Sequence, residues 1–249
     1  MNKKLICNGI IVNEGFQSQN DILIEGDKII EIKPNINPKP DIEVIDAKGL
    51  YILPGLIDDQ VHFREPGLTH KGTIESESKA AVAGGITSFI EMPNTIPQTT
   101  TKIDLDKKFQ IASKTSAANF SFLFGGTNEN IDEILKLDKK QVAGIKLFLG
   151  SSTGNMLVDD PEVLRKIFSS TDLLISVHCE DEKTIKHNLD KYIKKYGQNI
   201  PISKHPLIRS EQACYISSSK AISLAKETGA RLHVFHISTG KETELFDNK

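Results

Sequence analysis

The stretch Asp58-Asp59-Gln60-Val61-His62-Phe63-Arg64 follows the apolar pair Leu56-Ile57. Side chains alternate along a strand, so Asp58, Gln60, His62 and Arg64 are expected on one face. Polar groups entering from an apolar strand are costly to bury unless they bind something. Lys146 stands inside Gly144-Ile145-Lys146-Leu147-Phe148-Leu149-Gly150. A lysine in that setting must meet a counter-charge, give up its proton or be modified. A neutral amine can add carbon dioxide and become a carbamate, a carboxylate able to bridge two metal ions. His178 closes Leu173-Leu174-Ile175-Ser176-Val177, and His236 closes Leu232-His233-Val234-Phe235. Imidazole and carboxylate together suit zinc, and an open coordination position suits hydrolysis.

Each feature alone has a plainer explanation: a hydrogen-bonded polar rim, a lysine snorkelling to the mouth of the fold, a structural histidine. Matching positions at the ends of successive strands are what argue for a shared site. His233 lies an odd number of residues before His236 and is expected to face the helices. His70, His187 and His205 fall in loop or polar contexts and receive no role.

The elements that must hold these residues follow from the pattern. Residues 1–53 are short apolar runs broken by turn signals such as Asn13-Glu14-Gly15 and Glu25-Gly26-Asp27, without a helical period, and predict a small β module. From Pro54 onward six apolar runs recur, beginning near Leu56, Ile86, Phe120, Ile145, Leu173 and Leu232. Helix-like segments separate them. Thr73–Ala83 stops at Gly84-Gly85, Asp160-Pro161-Glu162 opens a second, and Ala213–Thr228 stops at Gly229. Fully apolar strands alternating with helices predict an α/β fold with a parallel sheet covered on both faces. Residues 182–208 interrupt the rhythm and read as an inserted excursion.

Composition sets the outer bounds. With 249 residues, 38% hydrophobic, 26% charged and a net charge of −2, the chain is neither collagen-like, disulfide-scaffolded nor disordered. That charge gives no electrostatic case for nucleic acid or an anionic membrane. Cys7, Cys179 and Cys214 are odd in number and far apart, as in a reducing compartment. Asn8-Gly9 interrupts the apolar start at Leu5, and no run reaches the roughly 18 apolar residues of a membrane span. A cytoplasmic location is expected.

Together the motifs Pro54-Gly55-Leu56-Ile57-Asp58, Val61 to Gly67, Glu91-Met92-Pro93-Asn94-Thr95, Gly144 to Gly150 and His236-Ile237-Ser238-Thr239 resemble the cyclic amidases of the amidohydrolase superfamily, and among them the dihydroorotases. The resemblance covers essentially the whole chain. It implies a (β/α)8 TIM-type barrel, present here as about six of eight strands in residues 54–249, with residues 1–53 as the N-terminal part of a β-sandwich. It implies one or two zinc ions per subunit. His62 would be a ligand of the first ion, Lys146 the carbamylated bridge, and His178 and His236 ligands of the second. Arg64 and Asn94 stand where dihydroorotases hold the substrate carboxylate, and a guanidinium fork matches a carboxylate. The implied reaction is the reversible cyclisation of N-carbamoyl-L-aspartate to dihydroorotate in pyrimidine biosynthesis.

Two departures stand out. Gln60 occupies the first histidine position of the usual D-x-H-x-H pattern and is a weak ligand at most. The family's catalytic Asp ends the eighth strand, whereas this sequence stops at Lys249 after the sixth. The chain is therefore expected to be a fragment, unstable and inactive by itself, since open sheet edges invite aggregation. Two other functions compete: a non-catalytic scaffold for a partner such as aspartate transcarbamoylase, which Gln60 favours, and a related amidase of allantoinase or dihydropyrimidinase type, which Arg64 and Asn94 disfavour. The expected partner is the small-molecule substrate, with self-association into a homo-oligomer allowed.

Overall fold

The computed structural model describes residues 2–150 and 154–247, and the chain divides into two compact units between Leu56 and Ile57. The first unit contains β1 (Lys3–Cys7), β2 (Ile10–Asn13), β3 (Phe16–Ser18), β4 (Asp21–Glu25), β5 (Lys28–Lys33), β6 (Glu43–Asp46) and β7 (Tyr51–Ile52). These form a four-stranded sheet, β5-β4-β1-β6, and a three-stranded sheet, β3-β2-β7. Leu5 and Ile22, from the paired strands β1 and β4, are buried. The sequence pattern did not announce β3. Its Phe-Gln-Ser has one apolar residue and three exposed side chains, so pairing with β2 (Val12↔Gln17) sets its conformation rather than burial.

The second unit is a curled parallel sheet of six strands: β8 (Leu56–Val61), β9 (Ile86–Glu91), β10 (Asn119–Gly125), β11 (Gly144–Phe148), β12 (Ile175–His178) and β13 (Leu232–Val234). Spatial order equals chain order, from β8 at one edge to β13 at the other. The helices are α1 (Ile74–Ala83), α2 (Lys102–Thr115), α3 (Ile131–Ile134), α4 (Pro161–Ser170), α5 (Glu182–Tyr196), α6 (His205–Ile208), α7 (Glu211–Thr228) and α8 (Gly240–Thr243). Local signals account for their starts. Thr73 caps α1 in a reciprocal pair with Ser76, and Asp160 accepts from the main-chain N–H groups of Glu162 and Val163, with Pro161 first in α4. Gly229, at φ 74°, closes α7 in the left-handed region that a side chain disfavours. The excursion between β12 and α7 holds α5, a short 3-10 turn and α6, and α5 buries none of its residues.

Alternation divides the strands between two faces. Phe89, Phe122, Phe124, Ile145, Leu147, Ile175 and Val177 face the helices and pack with Leu105, Ala112, Ile167, Phe168, Ala221 and Ala225. Burying each such Phe, Ile or Leu contributes about 1.5–3 kcal/mol relative to leaving it in water. The inner face is smaller: Met92, Leu123 and Phe235, with Ile90 beside them. Lys146 lies between the outward-facing Ile145 and Leu147 and so points inward, over the Phe148 and Phe235 rings.

His233 corrects the sequence expectation. Leu232 and Val234 pack toward the helices, so His233 takes the inner face, its ring 4.6 Å from that of Phe235 and its Nε2 3.7 Å from Asp59 Oδ2 on the opposite edge strand. The alternation counted back three residues from His236 failed because β13 ends at Val234 and His236 adopts φ 41°. No described helix is long and apolar enough to cross a membrane.

Candidate active site

The proposed chemistry-bearing residues lie at or just beyond the C-terminal ends of the strands, where α/β barrels place their sites. β8 ends at Val61; Val61 and Phe63 pack into the outer layer, which directs Gln60 and His62 inward. Arg64 leaves the strand pattern with φ 72°, a left-handed backbone that costs a non-glycine residue energy and persists only where its surroundings impose it. His62 Nδ1 lies 2.9 Å from Asn94 Oδ1, so the expected metal ligand and the expected substrate holder are hydrogen-bonded to each other. With Nδ1–H donating to Asn94, His62 keeps Nε2 as a lone-pair donor. Desolvation, then the Arg64 charge, lowers its pKa to about 4 and keeps the ring neutral.

His178 and His236 meet at the other side of the site, His178 Nδ1 3.1 Å from His236 Nε2. The outer nitrogen of His178, Nε2, lies 2.7 Å from Glu180 Oε2, and Arg209 grips the same carboxylate with Nε at 2.7 Å and a second guanidinium nitrogen. Burial alone would raise the Glu180 carboxyl. The hydrogen bonds from His178 and Arg209 outweigh burial and hold it at about 2. An ionised Glu180 accepts a hydrogen bond from His178 Nε2–H and leaves the Nδ1 lone pair of His178 facing His236. The backbone is close-packed here: a Cβ at Gly150, in the β11 loop, would overlap the Glu180 carbonyl.

Lys146 occupies the middle. Its Nζ is buried and has no hydrogen-bond partner among the described residues, and burial lowers its pKa to about 7. It lies within electrostatic reach of both His62 and His236. Of the fates open to a lysine in an apolar strand, the counter-charge is absent among the described residues, and complete burial removes snorkelling. An amine that is substantially neutral near pH 7 is the form that adds carbon dioxide. Unmodified, these side chains are no complete cage: among the described residues no three His, Cys, Asp or Glu groups converge tightly enough to hold a metal. The orphaned Nζ and the facing histidine pair nonetheless fit a metal once Lys146 carries a carboxylate.

Gln60 is partly buried and uses its main-chain N–H on Asp58. Glu180 and Arg209 were not singled out from sequence. The signal for Glu180 was faint but present, an acid two residues beyond a strand-ending histidine. A cavity of about 490 Å³ opens beside this pair, lined by His178, Glu180, His205, Arg209, His236 and Thr239.

A curled parallel sheet with histidines and a buried lysine at its strand ends is the framework of the amidohydrolase barrels. The comparisons agree: residues 49–243 match the Dihydro-orotase-like family, and the chain belongs to it. It is 36% identical over 255 residues to a dihydroorotase of Lactococcus lactis, spanning 97% of this chain and 56% of that protein. It is 31% identical to an allantoinase of Salmonella paratyphi B, over 96% of this chain and 54% of that one. Among solved structures, an L-hydantoinase (dihydropyrimidinase) from Arthrobacter aurescens superposes with a TM-score of 0.91 at 28% identity, covering 98% of this chain and 55% of that chain. The chain thus spans about half the length of the relatives it matches.

Proposed function

We propose that the protein carrying this chain is a metal-dependent dihydroorotase that interconverts N-carbamoyl-L-aspartate and dihydroorotate in cytoplasmic pyrimidine biosynthesis. The observation that carries this reading is Arg64. Arg64 as a residue is partly buried, its charge acts on His62, and its guanidinium forms no ion pair among the described residues. A substrate carboxylate supplies the missing partner in the bidentate geometry that a guanidinium favours. Asn94 supports the same clamp: its Oδ1 is engaged by His62, which leaves the Asn94 amide N–H groups to donate to the carboxylate.

His178, His236, His62 and a carbamylated Lys146 suit zinc, one or two ions per subunit, with Gln60 a weak ligand at most. Bound there, zinc would acidify water and polarise the ring amide carbonyl. The chain's own residues prepare for that role. Glu180 and Arg209 fix the tautomer of His178, Asn94 fixes that of His62, and the aromatic walls of Phe148 and Phe235 keep water from the Lys146 amine. Glu180→Ala is expected to weaken zinc binding by roughly 10–100-fold, read by competition with a chelator, because an outer carboxylate orients the ligand and raises its basicity. Unchanged affinity would reduce Glu180 to a partner of Arg209.

Turnover decides the substrate. The intact protein, loaded with zinc, is expected to prefer dihydroorotate over hydantoin and allantoin by about 100-fold or more in kcat/KM, the worth of a desolvated charge pair. The likeness to an L-hydantoinase favours the second reading, opening of a ring without a carboxylate. Equal or better rates on hydantoin would establish it. No turnover on any ring, with no zinc retained, would establish the scaffold.

A further inference from the structure

Beneath the clamp lies a buried ion pair that the chemistry above does not use. Glu91 ends β9 and Lys108 comes from the middle of α2; both side chains are essentially inaccessible to solvent and in direct contact. Lys108 Nζ also donates to the main-chain carbonyl of Met92 at 2.8 Å and lies 5.1 Å from the centre of the Phe122 ring. The main-chain N–H of Arg64 faces the Glu91 carboxylate closely enough to favour its ionised form. One end of the pair therefore holds the left-handed backbone of Arg64. The other holds the Met92 carbonyl, two residues ahead of Asn94, while the Met92 N–H donates to Val61 at 3.0 Å.

Stability alone does not call for such a pair. Two charges lose their hydration on burial, and apolar residues of similar volume often serve as well or better. Burial opposes both charges here, pushing the Glu91 carboxyl up to about 7 and the Lys108 ammonium down. What apolar residues could not supply is an acceptor for the Arg64 N–H and a donor for the Met92 carbonyl. Those are the two strands' exits into the segments that bear Arg64 and Asn94. We propose that the Glu91–Lys108 pair is a positioning device for substrate recognition, setting the backbone from which both halves of the carboxylate clamp project. The proposal deepens the dihydroorotase reading and rests on it for the identity of the carboxylate.

The decisive variant is the double substitution Glu91→Leu with Lys108→Met in the full-length protein. Either change alone strands a buried charge and lowers the melting temperature, whereas the double change keeps volume and removes both charges. The folded double variant is expected to raise KM for dihydroorotate about tenfold or more, with kcat within about threefold, because a displaced clamp loses ground-state and transition-state binding alike. Amide hydrogen exchange at Arg64 and Met92 should accelerate relative to the wild type, while exchange in α7 should not. A folded double variant with unchanged KM and unchanged exchange at Arg64 would overturn the proposal. If the wild-type protein is inert toward dihydroorotate, the substrate reading fails. The positioning role is then decided by exchange at Arg64 alone: acceleration sustains it and protection ends it.

Discussion

Lys146→Met is expected to remove bound zinc and to cut kcat on dihydroorotate by about 10³-fold or more, with the fold kept. Methionine fills the volume of the lysine stem, and the surrounding strand, all five residues of which are buried, has no reason to rearrange. What is lost is, among the described residues, the one group at the centre of the site that can become a bridging carboxylate. Metal polarisation is worth several kcal/mol, and about 1.4 kcal/mol corresponds to each tenfold in rate. Lys146→Arg is the instructive control. A guanidinium stays charged and cannot be carbamylated, so it would place an uncompensated cation among Phe148, Phe235 and the inner core. That variant should lose both metal and stability. Zinc content, steady-state rates and the mass of the native protein, heavier by one carbon dioxide per chain when modified, read the result. Retention of metal and rate by Lys146→Met would make Lys146 a packing residue and end the bridge assignment.

Arg64→Gln is expected to raise KM for dihydroorotate by about 10²-fold while leaving the opening of a ring without a carboxylate nearly unchanged. Two charge-assisted hydrogen bonds from one fork, each worth about 1.5–3 kcal/mol, support that magnitude. Arg64→Lys should fall between, keeping the charge and losing the planar fork. The same loss on hydantoin as on dihydroorotate would mean that Arg64 shapes the loop and does not hold the carboxylate. Running these variants beside the Glu91 and Lys108 substitutions separates the hand that grips the substrate from the arm that holds the hand.

The barrel strands were legible because burial on both faces writes itself as continuous apolar runs. The strands containing Phe120 to Phe124 and Ile145 to Leu149 could be read within a residue or two. Helix starts at Thr73 and at Asp160-Pro161 were legible for a local reason, since a cap and the N–H groups it satisfies are neighbours in sequence. Of the proposed site residues, Gln60, His62, Lys146, His178 and His236 were visible as polar groups in or at the ends of apolar runs, whereas Asn94, in the loop after β9, was named only through the family resemblance. What stayed hidden depends on contacts between distant residues. Arg209 meets Glu180 across 29 positions, past the whole excursion. Lys108 is one of a Lys107-Lys108 pair on a polar helix, and only the packing of α2 on β10 decides that the second of the two is buried. Alternation misled at His233 because the backbone turns before the residue from which the count was made.

A sheet in which spatial order equals chain order has a consequence for synthesis. Of the six strands β8 leaves the ribosome first, and every later strand of that sheet finds its partner already made, as the strand immediately before it in the sheet. The barrel can therefore grow like a wall laid course by course, each new strand closing a loop only onto the strand before it, the longest being the excursion between β12 and β13. At every stage a single new edge faces the next strand to emerge. The fold that gathers the proposed site residues at one rim thus also prescribes the order of their arrival: His62, then Asn94, Lys146, His178 and His236.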